Sequence, residues 1–305
     1  MSIHSFRRPR VPTAASLAAV AAAVLLGLWI SGVADAQQQP VQKQPLKQPP
    51  QAQPVEGPPQ DVILAPHRAT YEMKLALARP NSGIVEVNGN MVLETADSCD
   101  AWNVKQRIKL TFLRNDGEEF ETDSNFTSYE SKDGLALRFS VRNAQNDEVD
   151  EELRGQADLE GIGGKGRASF TLPEPRSFDL PAGTLFPTNH LALVIKHAKL
   201  GDKSVSYKVF DGARLDGAFQ VNAVIGKAKS ATGPPVRGDV SLLRQPAWGV
   251  RFAFFANGDQ GAQPEYEMAL DLLANGVARS MLLDYGDFAV DARLIQIQAV
   301  PRPKC

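Results

Sequence analysis

A glycine-rich run at 161–166, GIGGKG, is the first segment whose composition suggests chemistry. A phosphate-binding loop needs four residues between its glycines, then Lys and Ser or Thr at the start of a helix. Here Lys165 is followed by Gly166, and the chain continues as GRASFTL, which has the composition of a β-strand. The run therefore predicts a hairpin turn and not a nucleotide site.

The histidines are the second candidate group. Beyond residue 36 the chain has three of them, and His190 and His197 share one face of a predicted helix, seven residues apart. Metal-binding histidines on a helix are usually four apart, where one ion reaches both side chains. We therefore predict no metal site. His190 is instead expected to form a hydrogen bond near the helix start, and His197 suits the negative end of the helix dipole.

Acidic residues and nucleophiles give no catalytic pattern either. The acidic run at 147–152 lies on a predicted strand, whose successive side chains point to opposite faces. Glycoside hydrolysis needs two carboxylates across one cleft. Neither G-x-S-x-G nor S-x-x-K with its partner motifs is present. We expect a protein that is not an enzyme and has no catalytic residues and no cofactor.

Five aromatic residues could line a groove for lipid or glycan, although core packing is the more common role of such residues. They are Trp102, Trp248, Phe252, Phe254 and Phe255.

Cysteine usage is sparse, because the chain contains only Cys99 and Cys305. In an oxidising compartment an even pair is usually bridged. Two thiolates cannot by themselves form a four-ligand zinc site. We predict a disulfide between Cys99 and Cys305 that fixes the C-terminus, with two free thiols as the alternative.

The N-terminal segment predicts export. Three arginines and no acid lie in residues 1–12, an apolar run follows at 14–30, and Ala34-Asp35-Ala36 ends the segment. A basic region, an apolar region and an A-x-A site are typical of a secretory signal peptide, here cleaved after Ala36. An uncleaved anchor is the alternative, since the apolar run is at the lower limit of what spans a bilayer. We therefore expect a periplasmic protein that is not membrane-inserted after cleavage.

The next segment, 37–60, consists mainly of Gln and Pro. It cannot bury enough apolar surface to offset the entropy of ordering, so it predicts a disordered tether. The chain has 33 basic and 35 acidic residues, and cleavage removes Arg7, Arg8, Arg10 and Asp35, which leaves a net charge of about −4. The sequence has no basic stripe, so nucleic acid is not expected as a partner.

Residues 61–305 read as one all-β domain. Residues 102–113 alternate between apolar side chains and a polar face with Lys105, Arg107 and Lys109, and residues 135–142 alternate in the same way. One solvent-exposed face is typical of antiparallel sheets. Turn sequences such as Asn115-Asp116-Gly117 and Asn257-Gly258 separate about 12–14 predicted strands. One helix, at about 187–199, is predicted from its apolar spacing, with Gly201 as its C-cap.

Several segments resemble the periplasmic cell-envelope integrity protein B family of alphaproteobacteria, and the resemblance covers nearly all of 61–305. They are HRATYEMKLA at 67–76, the region around Cys99 with Trp102, TDSNFTSYESKDGLALRFSVRN at 122–143, LPAGTLFPTNH at 180–190, YGDF at 285–288 and Cys305. The resemblance implies a β-spiral of about fourteen strands that overlaps itself as an incompletely closed antiparallel barrel. It also implies a structural disulfide at Cys99 and Cys305, and it supplies no catalytic residues.

Export, β architecture and this resemblance together predict a non-enzymatic protein that maintains cell-envelope integrity. Its expected partners are other periplasmic or envelope proteins, with peptidoglycan or lipid as further candidates. The alternative is a periplasmic carrier that shelters a lipid or lipoprotein acyl chain inside the barrel.

Overall fold

The computed structural model describes residues 55–80, 82–230, 233–256 and 263–305. The predicted signal peptide, most of the predicted tether and the predicted turn at Asn257-Gly258 lie outside them. The described residues form sixteen strands and one α-helix. The elements are β1 (His67–Ala78), β2 (Ile84–Asp97), β3 (Ala101–Arg114), β4 (Glu119–Ser131), β5 (Ala136–Gln145), β6 (Glu148–Leu159), β7 (Gly166–Leu172), β8 (Arg176–Leu180), β9 (Thr184–Leu185), α1 (Pro187–Leu200), β10 (Ser204–Val209), β11 (Phe219–Ser230), β12 (Arg237–Gly238), β13 (Pro246–Phe255), β14 (Tyr266–Leu273), β15 (Ala278–Asp284) and β16 (Phe288–Ala299).

The strands form a single sheet. Its order is β8-β7-β6-β5-β4-β3-β2-β1-β16-β15-β14-β13-β11-β10-β9, and the short β12 pairs with β16 beside this path. The pairing of β1 with β16 runs from His67↔Ala299 to Ala78↔Phe288 and joins the first strand to the last. The two edge strands, β8 and β9, are separated in sequence only by residues 181–183. The sheet therefore comes round into a nearly closed barrel.

The alternation along β3 sets its two faces. Ile108, Leu110 and Phe112 are buried, whereas Lys105 and Arg107 point to solvent, as the sequence pattern predicted. The outer face of this part of the sheet is therefore polar and the inner face faces the core.

The number of strands differs from the prediction of about 12–14, because sixteen are present in the described residues. Two of the additional strands, β9 and β12, have only two residues each, and so short a segment has no periodicity to detect. The predicted helix is confirmed as α1, which ends one residue later than expected, at Leu200. Gly201 adopts a left-handed conformation with φ of 84° and caps the helix.

The main core lies around α1. Leu193, Val194 and Ile195 are buried in the same cluster as Tyr71 of β1 and Phe252 of β13. The helix is therefore part of the main core. No helix in the described part of the chain is long and apolar enough to cross a bilayer.

A second core cluster forms where the sheet overlaps itself. Phe139 and Phe170, from β5 and β7, pack edge-on against Phe210, which follows β10. Such aromatic pairs add about 0.5–1.5 kcal/mol each beyond the area that they bury. Gly212 approaches so closely that a Cβ there would lie 2.3 Å from Phe139 Cγ. The overlap therefore requires glycine at this position.

Residues 55–60, which the sequence assigned to the tether, lie before the predicted domain boundary at residue 61 and are described by the structure. Val55 packs against the main core, and the carboxylate of Glu56 pairs with the Lys196 ammonium on α1. The last six residues of the predicted tether thus lie against the domain. Composition could not reveal this, because the partners lie on a distant helix.

The C-terminal tail is held beside the turn between β2 and β3. Cys99 and Cys305 form a disulfide with their Cα atoms 5.7 Å apart. The Arg302 guanidinium lies 3.6 Å from the Asp97 carboxylate and donates a hydrogen bond to the carbonyl of Leu64 at 2.7 Å. Covalent and ionic contacts therefore fix the same short tail.

Candidate functional site

The glycine-rich run at 161–166 connects β6 to β7. The N–H of Gly164 donates to the carbonyl of Gly161 at 2.9 Å, and the N–H of Glu160 donates to the carbonyl of Lys165 at 2.8 Å. The predicted hairpin turn is confirmed, and it leads into a strand.

The two helix histidines have separate environments. His190 is buried, and its ring centroid lies 5.7 Å from that of Phe252. Its Nε2 has no hydrogen-bond partner among the described residues. Burial lowers the pKa of His190 to about 4. His197 instead contacts Asp202 through Nδ1 at 2.7 Å and Tyr207 through Nε2 at 2.8 Å. Among the described residues, no three His, Cys, Asp or Glu side chains are grouped so that they could hold a metal ion.

The acidic run at 147–152 spans the turn between β5 and β6 and the start of β6. Asn143 donates a hydrogen bond to Glu151 at 2.9 Å, and burial raises the pKa of this carboxyl group. Glu148 and Glu152 are exposed. The run does not bring two carboxylates to one cleft.

The five aromatic residues do not form one groove. Trp248 and Phe252 are buried in the main core, and Trp102 and Phe254 pack at its margin. The Lys132 ammonium lies 5.3 Å from the centre of the Trp102 ring. Packing accounts for these four residues.

A groove of about 630 Å³ crosses the outer face of β3 to β7, and we call it the basic groove. Most of its lining side chains come from every second residue of these strands, because residues two apart on a strand share a face. Three of them are cations, namely Lys105 on β3, Arg138 on β5 and Arg154 on β6. The uncharged polar members are Asn103, Thr127, Ser128, Tyr129, Ser140, Gln156, Ser169 and Thr171.

The register of β5 and β6 places two arginines together. Arg138 pairs with Gln156, and Ser140 pairs with Arg154, so the arginines are diagonal neighbours. Diagonal neighbours on one face lie about 7–8 Å apart, within reach of long side chains. One anionic group can therefore contact both guanidinium groups, and a guanidinium presents a planar fork that matches a carboxylate or phosphate.

A β-bulge lies at the end of this arginine pair. Arg154 faces Leu172 and Gly155 faces Phe170, so Thr171 is the extra residue on β7. Its hydroxyl donates to the carbonyl of Arg154 at 3.2 Å. Bulges bend a strand and redirect side chains, and they are frequent beside functional sites.

The groove cations differ from their neighbours on the same face. The Arg107 guanidinium lies 2.6 Å from Asp123, and the Lys109 ammonium lies 2.8 Å from Glu121. In contrast, none of the three groove cations forms an ion pair with an acidic side chain of the described residues.

Four acidic side chains of the described residues lie near the groove: Glu152 and Asp158 share the outer face of β6 with Arg154, whereas Glu94 and Asp100 have other partners. Glu94 faces Lys105 in the β2–β3 register, but its carboxylate lies 3.9 Å from the Arg68 guanidinium. Asp100 accepts a hydrogen bond from the Tyr129 hydroxyl at 2.9 Å. The groove lining itself contains three cations and no acidic side chain, on a chain whose net charge is −2.

The inner face of the same strands carries a buried carboxylate. Glu130 on β4 accepts hydrogen bonds of 2.7 Å from the N–H groups of Thr188 and Asn189, at the start of α1. The N-cap residue, Phe186, has no side chain that can accept these bonds, so Glu130 caps the helix from a distant strand. Burial raises the pKa of Glu130 to about 7, and the two N–H donors oppose this effect. Because Glu130 is 2 % exposed, it is a structural cap that a substrate cannot contact.

Sequence reasoning missed both polar sites. Lys105 was recognisable as a residue of a wet strand face, but its relation to Arg138 and Arg154 depends on the register of four strands. Glu130 lay in a polar strand segment, and its partners are 58 and 59 residues further along the chain. No local pattern could have identified either arrangement.

Comparison with known proteins gives consistent matches. The profile of the EipB-like family matches residues 59–301. The cell envelope integrity protein EipB of Brucella abortus (strain 2308) is 30% identical over 239 residues, which are 77% of this chain and 84% of that protein. A crystal structure of a β-barrel-like protein of a domain of unknown function, also from Brucella abortus, superposes with a TM-score of 0.72 at 30% identity, over 79% of this chain and 100% of that chain. This chain therefore belongs to the EipB-like family.

Proposed function

We propose that the mature protein works in the periplasm as a non-enzymatic binding protein that supports the integrity of the cell envelope. In this proposal the basic groove is the surface that holds an envelope component. The observation that carries it is the pair of outward arginines, Arg138 and Arg154, which have no acidic partner in the described residues. A relative at 30% identity is named for cell envelope integrity, and this supports the physiological role.

A binding role fits the placement of the titratable groups better than catalysis does. Glu130 and His190 have the protonation behaviour of candidate acids and bases, with pKa values of about 7 and about 4. Both are buried beneath the sheet and lie away from the groove on the outer face. The groove itself offers cations, hydroxyl groups and amides, which bind and orient a ligand.

The alternative role as an acyl-chain carrier would need an apolar chamber. In the described part of the barrel, α1 and the side chains around it occupy the interior, with Leu193 and Ile195 fully buried. The accessible depression on the outer face is lined mainly by polar and charged residues. The structure therefore favours binding at the surface over storage inside.

Complementation of a deletion strain tests the proposal. The full chain, a chain without residues 2–36 and the full chain with Arg138→Gln and Arg154→Gln should be compared for growth under detergent and wall-targeting antibiotics. We expect full rescue by the first, none by the second despite equal expression, and reduced rescue by the third.

Two results would contradict the proposal. Full rescue by the chain without residues 2–36 would place the function in another compartment. Release of soluble fragments when the purified mature protein is incubated with cell-wall polymer or envelope lipid would make it an enzyme.

A further inference from the structure

We infer that the basic groove binds the carboxylate-bearing glycopeptide strands of the cell wall. The inference rests on the proposed function, because it names the envelope component that the groove would hold. Three features of the groove support this ligand class: the spacing of its cations, the polarity of its lining and its path across several strands.

The spacing of the cations indicates a ligand with repeated negative charges. In the strand registers, Lys105 faces Thr127, Thr127 faces Ser140, and Ser140 faces Arg154. Lys105 and Arg154 are thus three strand spacings apart, or about 14 Å. A single small anion cannot contact both ends, whereas a wall polymer presents carboxylates on successive repeats.

The arginine pair supplies the strongest point of attachment. Arg138 and Arg154 lie diagonally on β5 and β6, so two guanidinium forks can hold one carboxylate from two sides. Two like charges at this distance repel each other in the unbound protein. A bound carboxylate removes that repulsion, which is why the pair is better explained by a ligand than by the stability of the sheet.

The remaining lining fits a hydrophilic chain. Asn103 and Gln156 offer amide groups, and Thr127, Ser140 and Ser169 offer hydroxyl groups. These groups match the hydroxyl and acetamido groups of wall sugars and the amides of their peptides. Tyr129 is half-buried and adds one aromatic surface at the side of the groove.

The same lining disfavours other anionic ligands. The lining side chains on the outer face include one aromatic residue, Tyr129, and Phe139 lies beneath the sheet at 3 % exposure. The centre of a protein–protein interface is usually apolar and rich in aromatic anchors. A lipid would need an apolar slot beside its headgroup. A groove that crosses five strands and is lined mainly by polar and charged residues instead suits an extended hydrophilic polymer.

Cosedimentation of the mature protein with purified wall sacculi tests this inference directly. We expect saturable binding that weakens as salt rises, because the groove cations face solvent. Sacculi whose carboxylates have been converted to neutral amides should bind at least about tenfold more weakly. The double variant Arg138→Gln with Arg154→Gln should bind at least about tenfold more weakly, since it removes the charged hydrogen bonds of both guanidinium groups.

Matched variants separate the groove from overall charge. Arg251→Gln with Arg293→Gln removes the same charge from exposed arginines on β13 and β16 that have acidic neighbours, and its binding should stay within twofold of wild type. Arg138→Lys with Arg154→Lys keeps the charge and removes the forks, so its binding should fall between wild type and the Gln variant.

Three results would overturn the inference. One is equal binding to native and amidated sacculi, and another is equal binding by the wild type and the Arg138→Gln, Arg154→Gln variant. The third is tighter binding to poly-glutamate or to vesicles with anionic phospholipid than to sacculi. If sacculi fail to bind but the deletion is still rescued only by the exported chain, the ligand class is wrong and the proposed function survives.

Discussion

Two polar regions on opposite faces of β3 to β7 differ in how their charges are satisfied. On the inner face, the Glu130 carboxylate accepts two hydrogen bonds from the start of α1. On the outer face, Arg138 and Arg154 have no acidic partner in the described residues. A buried charge without partners is costly, whereas water solvates an exposed one. The difference separates charges that the fold requires from charges that are available to a ligand.

Like the Glu130 contact, the disulfide satisfies its two residues within the fold, but by a covalent bond. Its loss should have the largest effect on stability. Cys99 and Cys305 are 206 positions apart, so loop-closure entropy gives an upper figure of about 5 kcal/mol. We expect Cys99→Ser with Cys305→Ser to lower the melting temperature while leaving ligand binding by the folded protein unchanged. Thermal unfolding with and without reductant measures this effect.

The double serine variant is the control for reductant, because its melting should not respond to it. A wild-type melting temperature that is the same with and without reductant would show that the disulfide contributes nothing to stability. The Arg302–Asp97 contact would then have to hold the tail without the disulfide.

Glu130→Ala should have the next largest effect, because it leaves two buried N–H groups of α1 without an acceptor. We expect a loss of about 2–4 kcal/mol in the free energy of unfolding, measured by urea titration. Glu130→Gln keeps one acceptor oxygen and should lose less. Glu148→Ala, at an exposed carboxylate, is the control and should change stability by less than about 0.5 kcal/mol. If Glu130→Ala matches that control, the inner site is not a structural cap.

The pKa of Glu130 adds a pH dependence to the same comparison. Burial raises this pKa from 4.5 to about 7, so the folded protein holds a proton that the unfolded chain releases. The stabilisation that comes from this proton is fully present below pH 4.5 and is lost as the pH rises to about 7. The wild type should therefore lose stability relative to Glu130→Gln between pH 5 and 7.5, by up to about 3 kcal/mol.

His190 acts in the opposite direction and must be separated from Glu130. Its pKa is lowered from 6.5 to about 4, so its contribution to stability is lost as the pH falls through this range. When the free energies of unfolding of wild type and Glu130→Gln are subtracted, the contribution of His190 cancels, because both proteins retain this residue. Parallel stability curves for the two proteins would contradict a titrating Glu130.

The sequence predicted what depends on local pattern. The alternation along β3 identified the outward Lys105 and Arg107, and the apolar spacing with Gly201 located α1 within one residue at its end. Cys99 and Cys305 were paired because the chain has no other cysteine. In each case the signal lies within one strand or helix, or in the residue count.

The sequence could not predict features that depend on distant partners. Arg138 and Arg154 become neighbours only through the β5–β6 register, and the bulge at Thr171 sets where the groove ends. From the sequence, Glu130 is only a polar residue on a strand, and its role as a cap depends on the position of α1. Each feature joins segments whose spacing is set by the folded sheet.

The smallest expected effect concerns the stability of the outer face itself. Arg138→Gln with Arg154→Gln removes two like charges, so we expect the free energy of unfolding to stay within about 0.5 kcal/mol of wild type or to rise slightly. Arg107→Gln breaks an exposed ion pair with Asp123 and should cost up to about 1 kcal/mol. Urea titration of the three proteins at low salt measures both values.

The stability of the double variant relative to Arg107→Gln shows whether Arg138 and Arg154 stabilise the sheet or serve a ligand. If the arginine pair stabilises the sheet, the double variant should lose more stability than Arg107→Gln does. If the pair serves a ligand, Arg107→Gln should lose stability while the double variant keeps it and loses binding. A loss of more than about 1 kcal/mol in the double variant would therefore assign Arg138 and Arg154 to the fold, as Glu130 is assigned on the inner face.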